Sequence, residues 1–231
     1  MKLLVVFAGP NGSGKSTLIS EVANSPHFPE YFFSPDELVN SLQFREIDDL
    51  KERYLSAMEY AKNLRRKIIR NGLDLAFETV FSTEEKLNFL RYAKQHGYYI
   101  ELVFITTRDA AINCQRVAQR VASGGHDVPT EKVFSRYEKS MKLLPKIIQI
   151  ADTVKVYDNS EATPRIVFFK QSTGECSLLN SGPRVDWPEE RIVAPLLKCG
   201  FLKERPKEYS PEETERFMEQ TYALQVLWFP K

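Results

Sequence analysis

The stretch Gly9-Pro-Asn-Gly-Ser-Gly-Lys-Ser-Thr17, directly after the apolar run Leu3–Ala8, decides the fold of this chain. It fits the pattern G-x-x-x-x-G-K-[ST], in which small residues let the loop wrap a phosphate with its backbone N–H groups. The apolar run predicts a strand buried on both faces, and Lys15–Ala23 predicts a helix whose N-terminus points at the anion. The sequence therefore predicts that the chain binds a nucleoside triphosphate.

Two side chains of this loop have predicted roles of their own. Lys15 can reach the β and γ phosphates, and Ser16 can hold Mg²⁺. Because Lys15 is read as a cation of a surface loop, its removal is expected to leave the core intact. The predicted nucleotide-binding residues are Gly9, Pro10, Asn11, Gly12, Ser13, Gly14, Lys15, Ser16 and Thr17.

Composition favours an ordinary globular protein and excludes several other classes. The 231 residues are 42% hydrophobic and 27% charged, as in an ordinary globular chain, and suit one domain with an appendage. A net charge of +1 gives no global field that favours nucleic acid or acidic membranes. Cys114, Cys176 and Cys199 are too widely spaced for a disulfide framework or a zinc site and indicate a reducing compartment. No apolar run reaches membrane-spanning length, so we expect no membrane partner. With the balanced charge and the cysteine pattern, this predicts a cytoplasmic protein without a nucleic-acid partner.

Predicted strands and helices alternate along the chain, which favours an α/β fold with right-handed crossovers. We predict a P-loop fold with a five-stranded parallel sheet flanked by helices, followed by a C-terminal β-hairpin and a helical tail. Pro145 is expected to kink or end a helix that begins at Thr130. The predicted domains are residues 1–182, with the hairpin Arg165–Lys170 and Glu175–Leu179, and a helical extension over residues 183–231.

Asp36 follows the second predicted strand, two residues after the probable helix cap Ser34. In a P-loop fold that strand end faces the γ-phosphate, where a carboxylate can take the proton of an attacking hydroxyl. The alternative is an aspartate that only complements the helix dipole.

Glu78 and Thr79 end an otherwise apolar predicted strand. A carboxylate at that position is costly to bury unless it meets metal, water or substrate. It could support Mg²⁺ or bind a substrate hydroxyl; a solvated strand end is the alternative.

Arg116 and Arg120 lie at i and i+4 on one predicted helix. Two adjacent cations cost a few tenths of a kcal/mol unless an anion lies between them, and a triphosphate during transfer is such an anion. The alternative is a solvated basic face. The paired glycines Gly124 and Gly125 predict a mobile lid that brings His126 near the phosphates.

Together these pieces resemble the zeta-toxin family of P-loop kinases. The likeness extends over roughly residues 1–170 and includes Phe77-Glu78-Thr79, Gly124-Gly-His-Asp-Val-Pro129 and Val156-Tyr-Asp-Asn-Ser160. Members transfer the γ-phosphate of ATP to a sugar hydroxyl, and the toxins act on UDP-N-acetylglucosamine. The resemblance implies ATP and Mg²⁺ as cofactors and an antitoxin as a protein partner. It implies that Lys15 and Ser16 hold ATP–Mg²⁺, that Asp36 is the base, that Glu78 binds substrate, and that Arg116 or Arg120 clamps the phosphates.

The sequence departs from the toxin pattern at substrate-binding positions. The toxins have a threonine and an arginine two and four residues after the glutamate that matches Glu78, where this chain has Val80 and Ser82. His126 occupies the place of a second phosphate-binding arginine. Because a neutral serine cannot pair with the diphosphate of a nucleotide sugar, an acceptor other than UDP-N-acetylglucosamine is expected. The predicted substrate-binding residues are Glu78, Thr79, Ser82 and His126.

The sequence thus favours an ATP- and Mg²⁺-dependent small-molecule kinase that phosphorylates a hydroxyl of a nucleotide sugar or a related metabolite. Two other functions stay open. One is a nucleotide-gated regulatory ATPase that acts through a protein partner. The other is a polynucleotide kinase, which the balanced charge and the lack of a basic, aromatic-rich groove disfavour.

Overall fold

The computed structural model of the protein describes residues 1–34, 38, 39, 41, 44, 46–125, 127–180, 182 and 185–224, the last five without their side chains. Two predicted site residues, Asp36 and His126, lie outside the described residues, so their predicted roles stay predictions.

The described strands form one sheet in the order β2-β3-β1-β4-β5-β6-β7-β8. The first five are mutually parallel, β6 and β7 form an antiparallel hairpin, and β8 runs parallel to β7. The predicted five parallel strands and the hairpin are confirmed, and the sheet is larger by β8. The strands are β1 (Lys2–Ala8), β2 (Tyr31–Phe33), β3 (Leu75–Thr79), β4 (Tyr98–Thr106), β5 (Thr153–Asp158), β6 (Arg165–Lys170), β7 (Cys176–Leu178) and β8 (Lys207–Glu208).

Helices cover both faces of this sheet. Successive residues of β1 point to opposite faces, so Leu4 and Val6 pack with α2, α3 and α5, whereas Val5 and Phe7 pack with α1 and α7. The described helices are α1 (Lys15–Val22), α2 (Leu50–Asn71), α3 (Glu84–Gln95), α4 (Ala110–Ala122), α5 (Thr130–Ile150), α6 (Ala194–Lys198) and α7 (Pro211–Leu224), and a π-helical turn (Glu189–Val193) leads into α6. Within the described residues, no helix combines the length and hydropathy that a bilayer-spanning segment needs.

The C-terminal segment packs against the sheet rather than extending away from it. Its strand β8 pairs with β7, and the ring of Phe217 lies 5.6 Å from that of Phe169 on β6. The buried Trp187 donates a hydrogen bond of 2.6 Å from Nε1 to Oδ2 of Asp158, at the end of β5. The segment therefore supports the strand end next to the P-loop. The domain boundary at residue 183 stays a prediction.

Candidate active site

The P-loop follows β1, between the neighbouring strands β3 and β4. Gly9 has a φ of 144° and Gly14 a φ of 94°, conformations that residues with a side chain rarely adopt. A Cβ at Gly9 would lie 1.9 Å from the carbonyl oxygen of Ile105, and one at Gly14 would lie 2.2 Å from Nδ2 of Asn159. The loop is thus packed so closely against β4 and the end of β5 that only glycine fits.

Two asparagines hold the loop by its carbonyl groups. Asn113, fully buried on α4, donates from Nδ2 to the carbonyl oxygen of Asn11 at 2.6 Å, and its Oδ1 accepts a hydrogen bond from Thr107. Asn159 donates from Nδ2 to the carbonyl oxygen of Ser13 at 2.8 Å. Because these bonds fix the carbonyl groups, they also set the planes of the peptide groups whose N–H groups bind phosphate.

Lys15 lies inside this loop and is 6% exposed, so the expectation of a surface-loop cation is wrong. Its Nζ donates to the carbonyl oxygen of Pro10 at 2.9 Å and lies 3.7 Å from Oε1 of Glu78 on β3. The ammonium group is buried because the loop wraps around it and Glu78 lies opposite. Lys15 and Glu78 therefore form an ion pair that faces the phosphate-binding loop.

A cavity of about 570 Å³ opens in front of the loop. Among its described lining residues, six are cationic and two are acidic, a surplus that favours an anionic ligand. Ser16, in the first turn of α1, is exposed and lines this cavity, as a hydroxyl ligand of Mg²⁺ would. The cationic residues are Lys15, Lys51, Arg116, Arg120, Lys132 and Arg136, and the acidic residues are Glu78 and Asp127.

The predicted arginine pair lines this cavity from α4. Arg116 is half-buried, and its Nη1 donates to the carbonyl oxygen of Asn159 at 2.7 Å. Arg120, one turn further, is exposed. From the facing helix α5, Arg136 donates from Nη1 to Oδ1 of Asn11 at 3.3 Å. All three arginines therefore line the cavity in front of the P-loop, and Arg116 is oriented by the carbonyl group of Asn159.

Helix α5 is anchored to β4 below this site by Tyr137. Its hydroxyl donates to the carbonyl oxygen of Thr107 at 2.7 Å, and burial raises the pKa of the phenol to about 12. The group therefore stays a protonated donor throughout the neutral range. This bond places the helix that carries Lys132 and Arg136 over the end of β4.

The other predicted substrate-binding residues occupy different positions. Thr79 lines the cavity, but its Oγ1 accepts a hydrogen bond from the backbone N–H of Phe81 at 3.2 Å. Phe81 has a φ of 54°, which turns the chain sharply after β3. Ser82 follows this turn, is half-buried, and is not among the residues that line the cavity.

Several residues of the site were not predicted from the sequence. Asn159, which holds the P-loop at the carbonyl oxygen of Ser13, belongs to a quoted motif but had no assigned role. Its position directly after a buried parallel strand was the available signal. Lys51, Tyr54 and Leu55 line the cavity from the first turns of α2. Their spacing marks one face of a helix, but nothing in the sequence indicates what that face meets.

A second cationic cluster lies beside β3, outside this cavity. The guanidinium carbon of Arg65 lies 5.3 Å from the ring centre of Phe77, and burial lowers the pKa of this arginine to about 10. Burial, with a smaller effect of the Arg65 charge, lowers the pKa of Lys86 on α3 to about 8. Keeping these two groups charged in a buried position therefore costs free energy at neutral pH.

Comparison with known proteins agrees with this architecture. Residues 4–144 match the AAA domain family. The chain belongs to this family. It is also 28% identical, over 141 residues, to an uncharacterized protein of Haemophilus influenzae, a match that covers 58% of this chain and 91% of that protein.

Solved structures share the fold of this AAA-domain chain at low sequence identity. A structure of the PezAT toxin–antitoxin system of Streptococcus pneumoniae gives a TM-score of 0.54 at 14% identity, over 97% of this chain and 86% of that one. An AvrRxo1-ORF1:-ORF2 structure with ATP gives 0.59 at 17% identity, over 77% and 60%. The native AvrRxo1-ORF1:-ORF2 complex gives 0.61 at 16% identity, over 96% and 76%. The predicted resemblance to zeta-toxin-like P-loop kinases is thereby confirmed at the level of the fold.

Proposed function

We propose that this protein is an ATP- and Mg²⁺-dependent kinase that phosphorylates a hydroxyl group of a small metabolite. The observation that carries the proposal is the composition of the cavity wall. The wall is formed by the P-loop, whose glycines are closely packed, by Glu78 and by the cations of α4 and α5. A loop that only turned the chain would need neither the close packing of its glycines nor the surrounding positive charge.

The residues of the loop fit a triphosphate. The backbone N–H groups of residues 9–17 and the ammonium group of Lys15 would bind the β and γ phosphates, and the Ser16 hydroxyl would hold Mg²⁺. When bound, Mg²⁺ supplies positive charge that neutralises the phosphate oxygens. Arg116 and Arg120 would contact the γ-phosphoryl group, where charge develops during transfer.

In the proposed reaction, an oxygen of the acceptor hydroxyl forms a bond to the γ-phosphorus of ATP. The bond between that phosphorus and the β–γ bridging oxygen breaks, and ADP leaves with the electron pair. Asp36 accepts the hydroxyl proton. Glu78 binds the acceptor, and Thr79, Ser82 and His126 are proposed as further acceptor-binding residues.

The test is turnover with an unfractionated small-molecule pool. Purified protein is incubated with Mg²⁺–ATP and a metabolite extract, and new phosphorylated species are identified by mass spectrometry. Lys15→Met should abolish their formation, since it keeps the volume of the buried chain but removes its charge. Lys67→Met, a change of an exposed lysine on α2, is the matched control and should leave activity unchanged. If both variants form the product at the parent rate, the P-loop is not the catalytic site.

Two further incubations with Mg²⁺–ATP separate the two other functions. A regulatory ATPase would hydrolyse ATP faster when a protein partner is added, whereas a polynucleotide kinase would label the ends of added nucleic acid. An antitoxin-type partner is proposed on the family resemblance. Such a partner should co-purify with the chain and inhibit, rather than stimulate, its phosphotransfer.

A further inference from the structure

The order of the strands places the P-loop and helix α2 on two different sides of the cavity. The P-loop, Arg116 and Asn159 follow β1, β4 and β5, which are adjacent strands. Helix α2 instead connects β2 to β3, on the other side of β1. If ATP binds as proposed, its phosphates occupy the first side, so the wall formed by α2 faces the acceptor.

Three residues of α2 form that wall. Lys51, Tyr54 and Leu55 lie at i, i+3 and i+4, which places them on one face of the helix, and all three line the cavity. The helix end is fixed, because the side chain of its cap Asp49 accepts a hydrogen bond of 2.7 Å from the backbone N–H of Glu52. The cation, the aromatic ring and the aliphatic side chain of these three residues therefore have fixed positions on the cavity wall.

This surface is open to solvent and can receive a ligand. Tyr54 is 39% and Leu55 59% exposed, and both present apolar surface to the cavity. Lys51 lies in the first turn of α2, where the helix dipole disfavours a cation. An anionic group would neutralise the charge of Lys51, because a lysine binds an anion as a point charge, and a planar ring would stack on the face of Tyr54.

We propose that Lys51, Tyr54 and Leu55 form the acceptor subsite and select a hydroxyl compound that combines a planar ring with one anionic group, as a nucleoside monophosphate does. The inference rests on the proposed kinase function and adds its substrate class. Tyr54 stacks on the ring, Leu55 covers its edge, and Lys51 pairs with the phosphate. The acceptor hydroxyl then points toward Glu78 at the boundary of the two sides.

The experiment uses three probes that separate ring from anion: uridine, ribose 5-phosphate and uridine 5′-monophosphate. The protein is first saturated with Mg²⁺ and a non-hydrolysable ATP analogue, and each probe is titrated by calorimetry. Uridine 5′-monophosphate should bind at least about tenfold more tightly than either fragment. Tyr54→Ala should weaken its binding about tenfold, and Tyr54→Phe should restore it. Lys51→Gln should weaken it similarly without changing the affinity for uridine.

Matched controls lie on the same helix. Tyr60 is 40% exposed, Lys67 is exposed, and neither lines the cavity, so Tyr60→Ala and Lys67→Gln should not alter binding. Thermal unfolding establishes that each variant is folded. The proposal is overturned if the monophosphate does not bind, if ribose 5-phosphate binds as tightly, or if the controls weaken binding as much. A protein that fails to bind the ATP analogue contradicts the kinase function instead, and the same titrations on the free protein then decide the subsite.

Discussion

Asn159 and Ser13, 146 residues apart, are joined by a hydrogen bond of 2.8 Å from the amide Nδ2 of Asn159 to the carbonyl oxygen of Ser13. The backbone carbonyl of Asn159 meanwhile accepts a hydrogen bond from Arg116. The turn that carries Asn159 is itself fixed, because the Asp158 carboxylate accepts hydrogen bonds from Ser160 and Trp187. One residue therefore sets both the conformation of the phosphate-binding loop and the position of an arginine that faces it.

Asn159→Asp should weaken ATP binding while the protein stays folded. The substitution replaces an amide donor by a carboxylate that faces the Ser13 carbonyl oxygen, and an unsatisfied acceptor costs about 1–3 kcal/mol. The dissociation constant of Mg²⁺–ATP, measured by calorimetry, should rise about 10- to 100-fold. Asn63→Asp, at an exposed position of α2, is the control and should bind ATP like the parent. Equal affinities of the two variants would show that the hydrogen bond does not shape the loop.

Arg116→Ala should lower kcat more than it raises the KM for ATP. The charge that this guanidinium faces grows during transfer, so the lost interaction is strongest in the transition state. Removing one such donor typically costs roughly 10²–10³-fold in kcat. Arg120→Ala should have a smaller effect in the same direction, because Arg120 is exposed to solvent whereas Arg116 is half-buried. Steady-state kinetics at saturating acceptor measure both constants. If both variants match the parent, the pair is only a solvated basic face.

Asp36→Asn should leave ATP affinity within a few-fold of the parent and slow phosphotransfer. Loss of a general base typically costs roughly 10²–10⁴-fold, whereas the amide still occupies the same volume. Single-turnover transfer and calorimetric ATP binding, measured on the same sample, separate the two effects. Asp48→Asn, an exposed aspartate before α2, is the matched control. A parallel loss of ATP binding would instead give Asp36 a structural role.

Most of the fold was predictable because local signals agreed with one another. The P-loop follows a strand buried on both faces, and the alternation of strands and helices admits only right-handed crossovers. Strand β8 was missed because two residues, Lys207 and Glu208, carry no periodicity, and only their pairing with β7 defines them. Pro145 does not end α5, since Leu144, Ile147 and Ile148 around it are buried in the core and their burial outweighs the lost hydrogen bond.

Residues of the candidate site could be predicted only where their spacing along the chain shows that they lie close together in the folded protein. Arg116 and Arg120 are one helical turn apart, so a shared cavity follows from the sequence. The Asn159–Ser13 bond joins distant segments, and no local pattern indicates it. The apolar residues of α2 repeat at helical spacing, but the part of its exposed face that meets the cavity, at Tyr54, depends on how the helix packs across the sheet.

Because of Lys86, the free energy of unfolding should increase with pH in the alkaline range. Its pKa falls from 10.5 to about 8 on folding, because burial disfavours the charged form. Between about pH 8 and 10.5 the unfolded chain therefore binds more protons than the folded one, so the contribution of Lys86 to stability rises with pH across this window. Below pH 8 the penalty is fully present, on the order of 3 kcal/mol.

Lys86→Met should accordingly raise the free energy of unfolding at pH 7, and the gain should shrink toward pH 10.5. Urea denaturation at a series of pH values measures the difference from the parent. Lys67→Met, at an exposed position, should show no such trend. A gain that is independent of pH would mean that packing of the methionine, and not the titration of Lys86, produces it.

If the protein is a kinase as proposed, UDP-N-acetylglucosamine should be a poor acceptor. Ser82 stands where the zeta toxins have an arginine, and it lies outside the residues that line the cavity. A diphosphate therefore loses charge-assisted hydrogen bonds worth about 1.5–3 kcal/mol each, so kcat/KM should be at least roughly tenfold below that for a dedicated acceptor. Coupled assay of ADP release with this sugar, beside the best acceptor from the metabolite extract, measures the ratio. Efficient phosphorylation of the nucleotide sugar would contradict the prediction, and Lys132 and Arg136, the cations that α5 places on the cavity wall, would then be the residues to replace.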